Sequence, residues 1–272
     1  MPQVPPPSFR PSSAGAADGA RPGQAPLEAV FQQAWTDAGG DGLAAAAVRG
    51  VLVAFFALDA WRPWLGEARR LLDAAEDDRV ARKRRPRDAD DLALAYGLHR
   101  LVLGRVIGCE ARAVPLAREA LGRPCLRGGD AHTSLSHADD AVAVAVAGRG
   151  PVGVDLEAMA RAVQMEEIAA AVLHPSERAA LDACDASARD AALLALWVRK
   201  EALLKAAGIG LAREMHGFAA PVATPVPLPA VDGPDGEDAV LRMVDAGGDW
   251  IAAVATPLGA TVVSAWLQPA AR

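Results

Sequence analysis

In the stretch GRGPVGVDLE an apolar run ends on two acids, Asp155 and Glu157. Alternate residues of a strand face the same way, so the two carboxylates would stand side by side and repel. A hard divalent cation relieves that repulsion. Mg²⁺ takes one or two carboxylates and completes its shell with water and phosphate oxygens. The same pattern also fits two solvated acids where a strand leaves its sheet. Further along, WVRKEALLK spaces Trp197, Glu201 and Lys205 at i, i+4 and i+8, one stripe of a helix. A carboxylate there can meet a metal or take a proton, and the ammonium can meet a phosphate. As a plain surface pair, Glu201 and Lys205 would contribute only about 0.3–0.5 kcal/mol.

Anion-binding groups occur elsewhere. His137 follows Ser136 just before a polar turn, where an imidazole can donate to a phosphate or simply satisfy the turn. His99, His132, His174 and His216 have no such context. Arg79, Arg82, Lys83, Arg84, Arg85 and Arg87 form a basic run flanked by acids, either a solvated helix face or an anion-binding arm. Of 28 Lys+Arg only Lys83, Lys200 and Lys205 are lysines, a ratio that coding bias alone can produce. There is no Walker loop, dinucleotide fingerprint, HExxH or GxSxG, so nothing supports P-loop hydrolysis, Rossmann hydride transfer or a hydrolase triad. Cys109, Cys125 and Cys184 form no CxxC pair or disulfide framework.

The elements that would position these groups read as α+β. The chain has 272 residues, net charge −6 and 52% hydrophobic residues, enough for a real core and too acidic for a sequence-independent nucleic-acid binder. Residues 1 to about 26 are Pro, Ala, Gly and Ser, and the first 42 are read as a flexible tail. An N-terminal half follows over 43–138 and a C-terminal half with the metal site over 139–272. Residues 48–61 read as a strand, 67–85 as a charged amphipathic stretch interrupted at Pro86, and 88–108 as a helix with an acidic start. Residues 133–148 and 148–157 suggest a hairpin around Gly150-Pro151. Residues 163–184 and 187–207 are helical by period, with Gly208 as the natural stop. Residues 219–238 are Pro-rich loop, and two strands close the chain. With no signal pattern, and an apolar run at Val51–Ala60 too short to span a bilayer, a cytoplasmic monomer away from membranes is expected.

In order and spacing, GRP, SLSH, VGVDLE and WVRKEALLKAAGIGL resemble the 4′-phosphopantetheinyl transferase superfamily over about residues 65–215. The length resembles the long, pseudodimeric, surfactin-synthetase-activating subtype that serves peptide and polyketide synthases. The resemblance implies two similar α+β halves, each a small antiparallel sheet packed with a long helix, with coenzyme A at their junction. It implies Mg²⁺-dependent transfer of the phosphopantetheine arm to a serine of an apo acyl- or peptidyl-carrier domain, releasing adenosine 3′,5′-bisphosphate. By the same resemblance, Asp155, Glu157 and Glu201 are metal ligands. Glu201 or Glu177 is the base. Lys205 meets the pyrophosphate, His137 a phosphate, and Arg123 the nucleotide. Arg79 and Arg82 reach the 3′-phosphate. Departures are Asp88, Asp90 and Asp91 where an arginine is usual, with Arg85 or Arg87 as possible substitutes, and Val198 where Ser or Thr is usual. The same acids would also serve a Mg²⁺-dependent phosphohydrolase, or a non-catalytic homologue that binds coenzyme A or a carrier protein.

Overall fold

The computed structural model describes residues 24–129 and 131–270. The first 23 residues of the expected tail lie outside them. From there the tail expectation fails. Residues 27–49 form α1 (Leu27–Asp37) and α2 (Asp41–Arg49). Leu27, Phe31 and Trp35 recur every four residues, and all three are buried. Phe31 stacks on Phe56 at 6.3 Å between ring centroids. A stripe of three large apolar groups outweighs the Pro/Ala/Gly composition that precedes it.

Strand β1 (Val51–Ala57) then leads into α3 (Leu58–Trp61), α4 (Leu65–Arg70), α5 (Ala74–Ala81) and the long α6 (Pro86–Ile107). Pro86 occupies the first turn of α6, where a missing N–H costs nothing. Strands β2 (Leu116–Arg118), β3 (Pro124–Leu126), β4 (His132–Ala138) and β5 (Ala141–Ala147) follow. After β6 (Gly153–Ala158) comes a 3₁₀ stretch (Met159–Ile168), then α7 (Ala169–Val172), α8 (Pro175–Asp182) and α9 (Ala186–Ala207). The chain continues through β7 (Pro225–Pro227), β8 (Asp238–Val244), β9 (Trp250–Pro257) and β10 (Val262–Trp266). The fold is α+β, as expected.

One sheet runs β10-β1-β5-β4-β3-β2 and the other β6-β9-β8-β7. The expected hairpin around Gly150-Pro151 is not formed, because that turn carries the chain from β5 in one sheet to β6 in the other. The strands also disregard the division at residue 138, since β5 and β10 both complete the first sheet. The reason lies in AVAVAVA. Val142, Val144 and Val146 join the core under α1, α2 and α6. Ala141, Ala143, Ala145 and Ala147 pack on Val154, Leu156 and Val254 of the other sheet. A strand buried on both faces belongs at a sheet's centre, and the small alanines let the two sheets approach. On the far side, Val198, Ala202 and Ala206 of α9 pack on Leu241, Ala253 and Ala255. The layers are therefore helix, sheet, sheet, helix. Val198 is a core contact there, which explains an apolar residue at that position.

Gly153 brings α9 close to β6. A Cβ at this glycine would fall on the carbonyl oxygen of Ala202 and crowd the amide of Ala206. Gly153→Ala should therefore destabilise the protein by about 1–3 kcal/mol in denaturant titration.

His99 is buried in α6. Its Nε2 lies 2.8 Å from Thr133 Oγ1, whose own proton goes to Ala145 O at 2.9 Å. The imidazole must therefore donate through Nε2. Nδ1 has no hydrogen-bond partner among the described residues, which suits a neutral ring. Burial, followed by the charges of Arg118 and Arg100, pushes its pKa down to about 3. Between the unfolded value near 6.5 and that folded value, the unfolded chain binds the extra proton. Stability contributed by neutral His99 is therefore lost as pH falls through this window, at roughly 1.4 kcal/mol per pH unit. His99→Gln should flatten the acid limb of stability against pH by that slope.

Candidate functional site

Three elements meet at one carboxylate. Asp155 stands two residues after Gly153 on the same face of β6, so it points toward α9. Lys205 of α9 donates from Nζ to Asp155 Oδ1 at 2.6 Å and to Ser136 Oγ at 2.8 Å. Ser136 of β4 donates to the same Oδ1 at 2.8 Å. The serines also join the two sheets: Val154 N–H donates to Ser134 Oγ at 3.1 Å, and Leu156 N–H to Ser136 Oγ at 3.4 Å. Side-chain hydroxyls thus satisfy the free edge of β6, which has β9 on its other side. Asp155 is only 4% exposed, and its Oδ2 is buried with no hydrogen-bond partner.

Glu157 follows on the same face of β6 and pairs with Arg161, whose guanidinium lies 4.9 Å from the centroid of the Trp197 ring. Burial pushes the Glu157 carboxyl above the usual range, and Asp155 adds to this. Glu201 is pushed up to about 7, by burial first and then by Asp155, with Lys205 opposing. Asp155, Glu157 and Glu201 therefore share one electrostatic neighbourhood.

Beside this cluster opens a cleft of about 600 Å³ lined by Arg79, Arg82, Lys83, Arg118, Arg123, His137 and Lys205. Asp73 and Glu76 close a capping box at the start of α5, and buried Arg100 of α6 holds both carboxylates at 2.6 Å. That clamp fixes the helix from which Arg79 projects and at whose C-terminal end Arg82 stands. Arg123 is held by Glu119 and by Ala206 O at 2.6 Å, against Gly208, whose φ of +75° ends α9. A Cβ at Gly208 would sit 2.7 Å from Arg123 Nε. The His137 ring is pushed below the usual imidazole range by desolvation against the cleft wall and by the ammonium groups of Lys83 and Lys205.

Other candidates are placed elsewhere. Glu177 is not gathered with the acids around Asp155. Its Oε2 accepts from His174 N–H at 3.0 Å and pairs with Lys200 at 2.7 Å, and its Oε1 accepts from Ala220 N–H at 2.8 Å. These bonds make it a capping and ion-pairing group. Neither Arg85 nor Arg87 lines the cleft; Arg87 pairs with Asp59 and Asp91. Asp90 and Asp91 bind Arg69 and Arg62, each at 2.7 Å. Arg118, which sequence reasoning passed over, does line the cleft. LAREALGRPC pairs Arg118 with Pro124 across the β2–β3 hairpin, and that short-turn pattern was the available signal.

Among the described residues, no three acidic, histidine or cysteine side chains form a ready metal cluster. The oxygen donors nevertheless fit a hard cation. Mg²⁺ needs only one or two carboxylates, and Asp155 Oδ2 is a buried acceptor without a donor. Among the described residues, no helix is long and apolar enough to cross a membrane.

The sequence is also similar to known proteins. Residues 151–254, from the turn before β6 into β9, match the family model of the 4′-phosphopantetheinyl transferase superfamily. The chain is 29% identical over 143 residues to the 4′-phosphopantetheinyl transferase HetI of Nostoc sp., covering 50% of this chain and 60% of that protein. It is 26% identical over 153 residues to a Synechocystis sp. protein provisionally named a 4′-phosphopantetheinyl transferase, covering 55% and 62%. The aligned region thus spans about three fifths of the length of these relatives.

The two lysines of α9 have separate roles. Lys200 is wholly buried and donates to the carbonyls of Val172, Met215 and Phe218 at 2.6–2.8 Å besides pairing with Glu177. Lys200→Met leaves the Glu177 carboxylate without its counter-charge and three carbonyls without their donor, so thermal unfolding should show a loss of about 3–5 kcal/mol. Lys205→Met should cost less than this, because its side chain is 26% exposed and Asp155 keeps the Ser136 hydroxyl.

Proposed function

We propose that the protein transfers the 4′-phosphopantetheine arm of coenzyme A to a serine of an apo acyl- or peptidyl-carrier domain. The observation that carries this reading is the buried Asp155 carboxylate. One of its oxygens is bound by Lys205 and Ser136, the other is unpartnered, and a cationic cleft opens beside it. This cluster lies within or beside the segment that matches the superfamily.

In the transfer, the carrier serine oxygen bonds to the phosphorus that bears pantetheine. The bond from that phosphorus to its bridging oxygen breaks, and adenosine 3′,5′-bisphosphate leaves. Asp155 and Glu157, with Glu201 beside them, would hold Mg²⁺, which supplies positive charge to the pyrophosphate oxygens. Lys205 leaves Asp155 for those same oxygens, and His137, next to Ser136 on β4, donates to a phosphate oxygen. Arg79, Arg82 and Arg123 bind the nucleotide end. Glu201 takes the serine proton, since Glu177 spends both oxygens on structural bonds. Positioning and charge neutralisation carry the reaction, as expected for substitution at phosphorus.

The pseudodimeric subtype is supported by two matched helices. Both α6 and α9 have 22 residues, each lies against its own sheet, and each ends on a left-handed glycine, Gly108 or Gly208.

The test is intact-mass analysis of apo carrier domains incubated with the protein, coenzyme A and Mg²⁺. Wild type should add about 340 Da, the mass of the phosphopantetheine group. Asp155→Asn should slow this at least about 100-fold while the melting temperature holds. Labelling untouched by Asp155→Asn would sink the acidic site. Coenzyme A cleavage without carrier modification would favour a phosphohydrolase.

A further inference from the structure

Arg118 ends β2 and lies on the partition between two cavities. The cleft of about 600 Å³ and a neighbouring cavity of about 470 Å³ share Arg79, Arg82 and Arg118 as lining. The second cavity includes none of Asp155, Glu157, Glu201 or Lys205 in its walls. Arg118 is held from two sides. Its guanidinium carbon sits 5.2 Å from the centroid of the Tyr96 ring, and Nη1 donates to Gly122 O at 2.9 Å. The other terminal nitrogen, Nη2, is buried with no hydrogen-bond partner.

Tyr96 is the single tyrosine of the chain, and it positions a second guanidinium as well. Its hydroxyl accepts from Arg79 Nε at 3.1 Å. One ring therefore fixes Arg118 through its face and Arg79 through its hydroxyl. Of the acids lining the second cavity, Asp73 and Glu76 are both bound by Arg100, and Asp78 is exposed. Among the described residues, Arg118 has no carboxylate within ion-pairing distance. Burial also pushes its pKa down, with the more distant charges of Glu76 and Asp73 opposing.

We propose that Arg118 is a binding residue for the 3′-phosphomonoester of the nucleotide, and that its unpaired N–H makes the protein prefer a 3′-phosphorylated ligand over the dephospho form. The inference rests on the coenzyme A reading above. A ligand whose pyrophosphate lies at Lys205 extends its nucleotide toward the arginine partition. A phosphate dianion there can accept from Arg118 together with Arg79 and Arg82. A bare hydroxyl carries no charge for the three guanidiniums to neutralise, and a site with buried, unmatched donors discriminates strongly.

The experiment is calorimetric titration of the full chain with adenosine 3′,5′-bisphosphate and with adenosine 5′-monophosphate. Wild type should prefer the bisphosphate. Arg118→Met should weaken the bisphosphate about 10- to 100-fold, the loss expected for a hydrogen bond to a charged group, and leave the monophosphate nearly unchanged. Arg118→Lys should recover part of that loss, since a point charge replaces the fork. If Arg118→Met does not fold, Arg118→Lys and Arg118→Gln carry the test, and each should weaken the bisphosphate alone. A preference kept intact in the variants, or equal weakening of both ligands, overturns the proposal while the coenzyme A reading stands. A wild type that binds neither nucleotide overturns that reading and this inference with it.

Discussion

Gly153 has no side chain because α9 occupies the space where one would go. This contact sets the separation of β6 and α9 and places their functional groups together. Asp155 and Glu157 continue the same face of β6, while Glu201 and Lys205 descend from the helix above. A methyl group at residue 153 would overlap the α9 backbone and push apart the two elements whose side chains meet at 2.6 Å between Lys205 and Asp155. The local density is an example of close-packed interiors transmitting strain, since nothing soft lies between the backbone surfaces. The opposing sheet depends on the same geometry, because Ser134 and Ser136 reach the edge of β6 only where β6 lies.

Charge is partitioned with similar economy. The chain is acidic overall, at −6, yet the cleft wall is cationic. The acids next to the cleft are spent on internal arginines: Asp73 and Glu76 on Arg100, Asp90 on Arg69, Asp91 on Arg62. Arg79 and Arg118 are anchored by a phenol and a carbonyl instead, which fix their positions and leave their charge free. Within α9, Lys200 and Lys205 diverge for a geometric reason. Five residues along a helix is about 140° around its axis, so one ammonium faces a closed pocket of carbonyls and the other the cleft.

Local periodicity carried the part of the site that was readable in the sequence. The D-x-E pair, the Trp197–Glu201–Lys205 stripe and the Gly208 stop need only the repeat of a strand or helix. Arg79, Arg82, Arg123 and His137, drawn from a family resemblance, do line one cleft. What was not readable depends on partners distant in the chain. AVAVAVA looks like one arm of a hairpin until both its faces are seen to be buried. The acid in HPSER looks free until Lys200 is seen to point away from the cleft and toward it. Arg118 sits in a three-residue strand marked only by the short turn after it, and its importance comes from Tyr96 on α6. The helix at Leu27–Asp37 was hidden by the composition beside it, although its apolar spacing was present.

The strand nearest the C-terminus pairs in parallel with the first strand. Val51 through Phe55 align with Val262 through Trp266, and the Trp61 indole donates to Leu267 O at 3.1 Å. During synthesis the leading sheet must therefore wait, with one edge of β1 unpaired, until more than 200 further residues have left the ribosome. Such long-range closure slows folding and prolongs exposure of an aggregation-prone edge. The two sheets consequently do not mature as independent units in order of synthesis, because the sheet begun by β1 closes only when β10 arrives.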